Sequence, residues 1–179
     1  IAADNTDGLG LLAAFAEQAP HWRADAGPVV VLGAGGAARG AVAALLDAGA
    51  PEIRLVNRTV MRAEEIAVIV GGPVTPMGWD ALDDALLGAS ALVNATSLGL
   101  EGGDPLKMSL APLAVAAPVM DMVYRPLETP LLAQARARGH VGIDGLSMLI
   151  GQAHPTFEAV YGQPTPRGVD VRGLCLKAM

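Results

Sequence analysis

Four apolar residues that run straight into a glycine cluster, Val29-Val30-Val31-Leu32-Gly33-Ala34-Gly35-Gly36-Ala37-Ala38-Arg39-Gly40, constrain this chain more than any other segment. The run Pro28 to Leu32 reads as a strand buried on both faces, and the Ala-rich residues after it as a helix ending near Gly49. A strand, a tight glycine turn and a helix in that order open a dinucleotide-binding βαβ unit. Gly33 permits the turn, Gly35 lets backbone amides approach a pyrophosphate, and Ala38 holds the small position where helix meets strand. Ala34, Gly36 and Ala37 complete the loop, where the helix end supplies free N–H groups and a partial positive charge.

The same alternation continues along the chain. Residues Gly8 to Ala19 have helical spacing stopped by Pro20, Ile53 to Val56 reads as a strand, and Met61 to Val70 as a helix. Val74 to Met77 is a weaker strand, followed by a helix that Asp80 is expected to cap. Ala91 to Asn94, Val119 to Val123 and Val141 to Ile143 read as further strands. Thr129-Pro130 supplies a capping side chain and a first-turn proline for a helix ending at Gly139. Leu146 to Tyr161 is the last long helix, and the tail from Pro164 to Met179 is expected to hold a short one. Strands separated by helices must be parallel, and nearly all-apolar strands need helices on both sheet faces. The expected fold is α/β, a doubly wound parallel sheet of the Rossmann-like kind.

Composition narrows the partners. A net charge of -6 argues against nucleic acid, which needs a basic face, so any anion must be held by local donors. The longest uncharged stretch, Ala85 to Leu100, contains Ser90, Asn94, Thr96 and Ser97 and falls short of the roughly 20 apolar residues of a membrane span. The single Cys175 fits a reducing compartment, and no signal peptide is visible, so a cytoplasmic location is expected. His21, His140 and His154 lack metal-ligand spacing and read as structural or solvent-facing, so no metal is expected.

The end of the second strand selects the cofactor. NAD sites usually place Asp or Glu there to hold the ribose 2′-hydroxyl. This chain has Asn57-Arg58-Thr59, with Arg62 one turn further on. A carboxylate would repel a 2′-phosphate, whereas guanidinium groups offer it planar, charge-assisted donors, and Asn57 and Thr59 add neutral ones. The expected cofactor is NADP.

Further motifs follow in order: Asn5-Thr6-Asp7-Gly8, the glycine loop, Asn57-Arg58-Thr59, Asn94-Ala95-Thr96-Ser97, Asp121-Met122-Val123-Tyr124-Arg125-Pro126 and Asp144-Gly145-Leu146-Ser147-Met148-Leu149-Ile150-Gly151-Gln152. This ordered set resembles the shikimate dehydrogenase family across essentially the whole chain. The resemblance implies NADP-dependent interconversion of 3-dehydroshikimate and shikimate. It implies that Asp7 is the substrate-binding acid beside a catalytic lysine, that Tyr124 and Gln152 are substrate contacts, and that Thr96, Ser97, Met122, Gly145 and Met148 neighbour the nicotinamide and its ribose. A lysine held by a carboxylate can protonate the alkoxide that hydride transfer creates. Read without the resemblance, Asp7 is first a candidate cap for the helix starting near Gly8.

Neither lysine of the chain, Lys107 or Lys177, lies in a context suited to that proton transfer. The resemblance implies an amino-terminal substrate domain carrying the lysine, and Ile1 begins almost on a motif that follows it. The chain therefore reads as a fragment: 1–20 an interdomain helix region, 21–162 the NADP-binding domain, 163–179 a tail. It is expected to bind NADPH but to turn over shikimate extremely slowly or not at all alone. Apolar surface on the Gly8–Ala19 helix and the tail, uncovered by the missing partner lobe, would favour self-association. Two alternatives remain: a stand-alone NADP-binding or regulatory module, against which Asp7, Tyr124 and Gln152 speak, and a quinate/shikimate dehydrogenase accepting NAD, against which the Asn57-Arg58-Thr59 run speaks.

Overall fold

Strand β1 (Val29–Leu32) is buried at every position and pairs on both sides. Burying each of its side chains stabilises the fold by about 1.5–3 kcal/mol, which is why the run cannot lie at a surface. In the computed structural model, which describes residues 5–166 and 168–179, β1 lies inside a six-stranded sheet. Residues 1–4, the start of the expected interdomain region, and Arg167 of the tail lie outside the described residues. The other strands are β2 (Ile53–Val56), β3 (Val74–Met77), β4 (Ala91–Asn94), β5 (Val119–Asp121) and β6 (Gly142–Ile143). Their order is β3-β2-β1-β4-β5-β6 and every pairing is parallel. Pro76 is tolerated in β3 because that strand is at the edge, where one N–H can be spared.

Helices α1 (Asp7–Gln18), α2 (Gly36–Asp47), α3 (Val60–Val70), α4 (Leu82–Leu86), α5 (Pro130–Ala137), α6 (Gly145–Tyr161) and α7 (Val171–Ala178) follow the expected alternation. One core gathers Leu11, Phe15, Val42, Leu45 and Ile66 against one sheet face; a second gathers Leu82, Leu86, Leu110, Leu113 and Leu131 against the other. The sheet is thus doubly wound. Among the described residues, no helix is long and apolar enough to cross a membrane.

Four local expectations need correction. Asp80 caps no helix: it lies inside a 3-10 turn, Trp79–Ala81, that precedes α4, and its carboxylate folds back over Gly78. The strand expected through Val123 stops at Asp121, because the Asp121 side chain accepts the Val123 N–H at 3.1 Å and turns the backbone out of the ladder. The strand expected from Val141 starts at Gly142, with Val141 exposed at the sheet rim. Asp7 is not a side-chain cap either; Thr6 holds the cap position, and the Asp7 N–H is taken by Asn5 Oδ1 at 2.8 Å. The Thr129 and Asp144 side chains do cap α5 and α6, accepting from Leu132 N and Ser147 N.

The first helix does not present the bare apolar face expected of it. Leu11, Ala14 and Phe15 are buried in the first core, and Leu9 is left in solvent. Gly10 and Gly151 make the α1–α6 crossing close: a Cβ on Gly10 would lie 2.9 Å from Gln152 N, and one on Gly151 would lie 2.9 Å from Ala13 Cβ. The tail is different. No residue of α7 is fully buried, and Leu174 and Leu176 face solvent.

The tail is tied down chiefly through Arg172, with a further bond from Arg125 Nη2 to Met179 O at 3.1 Å. Arg172 grips Asp144 with both arms, Nη1 to Oδ1 at 3.1 Å and Nη2 to Oδ2 at 2.8 Å, and also donates to Ser147 Oγ at 2.8 Å. Gln18 of α1 donates to the same carboxylate at 3.0 Å. Burial pushes the Asp144 carboxyl up, but Arg172, Gln18 and the Ser147 N–H outweigh it and hold it below the usual value. A depressed carboxyl stabilises the fold above its unfolded value of about 3.9, and that stability is lost as pH falls through the folded value. Arg172→Ala should therefore cost about 1–2 kcal/mol near neutrality, with a smaller penalty below that window. Urea midpoints of both proteins from pH 7 down to pH 2 check this; a gap that stays constant in acid would disprove the pairing.

Candidate functional site

Because all strands are parallel, the residues that follow them collect on one edge. Gly33 follows β1, Asn57 and Arg58 follow β2, Thr96 and Ser97 follow β4, Met122 follows β5 and Gly145 opens α6 after β6. The strand order turns back between β1 and β4, the crevice where open α/β sheets bind ligands. Gly33 has φ 104° there, and a Cβ on it would lie 3.1 Å from both Ala95 O and Thr96 Cγ2. Two loops touch at this point, and only glycine fits between them.

Gly35 and Gly36 face the opposite situation. A Cβ built on either meets nothing within 4 Å, so both point into open space at the start of α2. That free volume beside unpaired helix N–H groups is the cradle a pyrophosphate requires. Ala34 and Ala37 are half-buried beside it, while Ala38 is fully buried against the sheet.

Beyond the loop lies a cleft of ≈ 580 Å³, walled by Asn57 and Arg58 on one side and by Thr96 and Ser97 on another. Asn57 helps build the turn that presents Arg58, donating from Nδ2 to Thr59 O at 2.8 Å. Arg58, Thr59 and Arg62 are exposed, and neither arginine has an ion pair among the described residues. Thr59 and Arg62 are outside the cleft lining, at the start of α3. Sequence reasoning missed Trp79, Asp104, Pro105 and Lys107, which together with Leu98 complete the cleft. No sequence signal marks them, since loops far apart in the chain bring them together.

A buried polar network sets the height of the Thr96–Ser97 loop. Asn94 Nδ2 donates to Asp121 Oδ1 at 2.9 Å, and Thr129 Oγ1 donates to Asp121 Oδ2 at 2.7 Å. Asn94 Oδ1 accepts from Thr96 N at 3.1 Å and from Thr96 Oγ1 at 2.7 Å, and Thr96 Oγ1 accepts from Leu98 N at 3.1 Å. Burial pushes the Asp121 carboxyl up, opposed by bonds from Thr129, Val123 N and Asn94. Their role was missed although the signal existed: Asn94 and Asp121 are polar residues closing otherwise apolar strands.

The remaining sites lie further along the edge. Gly145 packs so closely on the Met122 carbonyl that no side chain fits, and Met148 is buried in the core below. Tyr124 is exposed just past β5. Asp7 and Gln152 are on α1 and α6, whose crossing is pinned by Gly10 and by a 3.1 Å bond between the hydroxyls of Thr6 and Thr156. Neither Asp7, Tyr124 nor Gln152 lines the cleft.

A sequence profile described as Shikimate / quinate 5-dehydrogenase matches residues 16–99. A shikimate dehydrogenase (NADP(+)) of Caulobacter vibrioides is 56% identical over 178 residues, covering 99% of this chain and 62% of its own length. Over nearly its whole length the chain is thus similar to a shikimate dehydrogenase (NADP(+)). One of Paracoccus denitrificans is 49% identical over 96% of this chain and 61% of its own length. Among solved structures, quinate dehydrogenase from Corynebacterium glutamicum in complex with NAD superposes with a TM-score of 0.83 at 30% identity, over 90% of this chain and 58% of that one. Shikimate 5-dehydrogenase from Thermus thermophilus in complex with NADP(H) and shikimate gives 0.75 at 36% identity, over 89% and 57%. The chain thus spans about three fifths of the length of these relatives.

Proposed function

We propose that this chain is the nucleotide-binding part of an NADP-dependent shikimate dehydrogenase, interconverting 3-dehydroshikimate and shikimate. The observation that carries this reading is the pair of loops facing one edge: a glycine cradle open at Gly35 and Gly36, and an Asn57–Arg58 turn with no carboxylate in it. The relatives named for NADP and shikimate support the same assignment. NADPH supplies the hydride. The glycine loop holds its pyrophosphate, Arg58, Thr59 and Arg62 take the 2′-phosphate, and Asn57 holds the turn.

Thr96, Ser97, Met122, Gly145 and Met148 border the nicotinamide end, and the carbonyl-packed Gly145 keeps that end of the crevice narrow. Asp7, Tyr124 and Gln152 serve the substrate side. Asp7 orients a lysine contributed from outside these 179 residues, and that ammonium returns the proton to the alkoxide. The exposed Leu174 and Leu176 of α7 are where self-association would occur.

The NAD-bound quinate dehydrogenase shares the fold, so the backbone alone does not choose between cofactors; the residues after β2 do. Arg58→Ala should weaken NADP(H) binding by about 1.5–3 kcal/mol, the range of a charge-assisted contact, and NAD(H) binding far less. Calorimetric titration of both cofactors reads this directly. Equal losses would show that Arg58 does not meet the 2′-phosphate.

A further inference from the structure

We infer that Lys107 is a second residue selecting the phosphorylated adenosine, closing on the 2′-phosphate from the wall of the cleft that Arg58 also lines. Lys107 and Arg58 line the same cleft, although 49 positions separate them in the chain. Neither has a carboxylate within ion-pair distance among the described residues, even though Asp104 lines the same cleft. In a chain with a net charge of -6, two cations lining one cavity against a single carboxylate, Asp104, that pairs with neither leave a local positive excess that an anion between them would relieve.

The backbone carrying Lys107 is held in place. Leu106 and Leu110 are buried in the second core, Met108 packs against that core, and Gln134 Nε2 donates to Met108 O at 3.3 Å. Lys107 itself is exposed, so a fixed backbone presents a long stem that ends in a point charge. Such a charge suits a phosphate monoester at the cleft mouth, where planar Arg58 takes one side and the ammonium another.

The inference rests on the NADP reading, and the test separates the two. Adenosine 2′,5′-bisphosphate and adenosine 5′-monophosphate are titrated into the wild-type chain, Lys107→Met and Lys107→Arg, across a range of salt concentrations. Lys107→Met keeps the apolar stem and removes only the charge. It should weaken the bisphosphate about 3- to 10-fold, change the monophosphate less than about 2-fold, and flatten the salt dependence; Lys107→Arg should restore most of the loss. Equal weakening of both probes would place Lys107 against a group they share, and no weakening would place it away from the nucleotide; either overturns the inference. A wild-type chain that shows no preference for the bisphosphate would instead overturn the NADP reading itself.

Discussion

Asp121→Ala should unfold this domain more readily than any other polar substitution, by about 3–5 kcal/mol, because it strands several buried groups at once. Asn94 Nδ2, Thr129 Oγ1 and Val123 N all give their hydrogen bonds to that carboxylate, and Asp121, Asn94 and Thr129 are all fully buried. For a domain of this size the loss corresponds to a melting temperature lower by about 10 °C. Asp121→Asn should cost far less, since an amide oxygen can still accept from Asn94 and Val123 while its NH2 meets the Thr129 hydroxyl.

The pH dependence separates these explanations. Burial raises the Asp121 carboxyl above its ordinary value. A raised carboxyl contributes stability that is fully present below its unfolded value of about 3.9 and is lost as pH rises through the folded value. Asp121→Asn should remove that loss, so its deficit against wild type should shrink as pH rises from about 4 through the folded value. Thermal melts of the three proteins across this range decide it. If Asp121→Ala melted with wild type, the network would contribute nothing to the fold. The consequence for function follows from the same bonds: Asn94 sets Thr96, so Asp121→Ala should also loosen the cleft wall and weaken nucleotide binding in the molecules that remain folded.

The second large effect is expected at the α1–α6 crossing. Gly10→Leu should destabilise by about 3 kcal/mol or more, because the new side chain must displace backbone rather than a flexible side-chain end. Even the first added carbon would lie 2.5 Å from Met148 O and 2.9 Å from Gln152 N. Gly151→Leu meets Gly10 Cα and O, both at 3.2 Å from its first carbon, and should behave alike. The two are not additive, since both push on one contact. A chemical-denaturation midpoint within error of wild type for either variant would mean that the helices can separate freely. Because α1 carries Asp7 and α6 carries Gln152, these variants should also disturb whatever these two residues hold.

Much of the fold was written locally. The all-apolar strands, the glycine turn at Gly33 and the Thr129-Pro130 start of α5 each follow from short-range physics, and the structure keeps them. The errors came where a side chain redirected the backbone. Asp121 ends β5 by taking the Val123 N–H, and Asp80 joins a 3-10 turn instead of capping α4. Short polar side chains can cap, turn or end an element, and the choice depends on neighbours that a sequence window does not contain.

The site divides along the same line. The sequence alone determined that a glycine turn joins a buried strand to a helix at Gly33–Ala37 and that the second strand ends in Asn57-Arg58-Thr59 rather than an acid, because both are read within a few residues. The tertiary structure decided what surrounds them. Parallel pairing gathers the strand ends on one edge, the Asn94–Asp121–Thr129 network fixes Thr96, and residues as distant as Trp79 and Lys107 wall the cleft beside Arg58. Turn chemistry depends on the residue itself and its immediate neighbours, whereas a cleft wall depends on how crossovers return across a sheet, which no local pattern encodes.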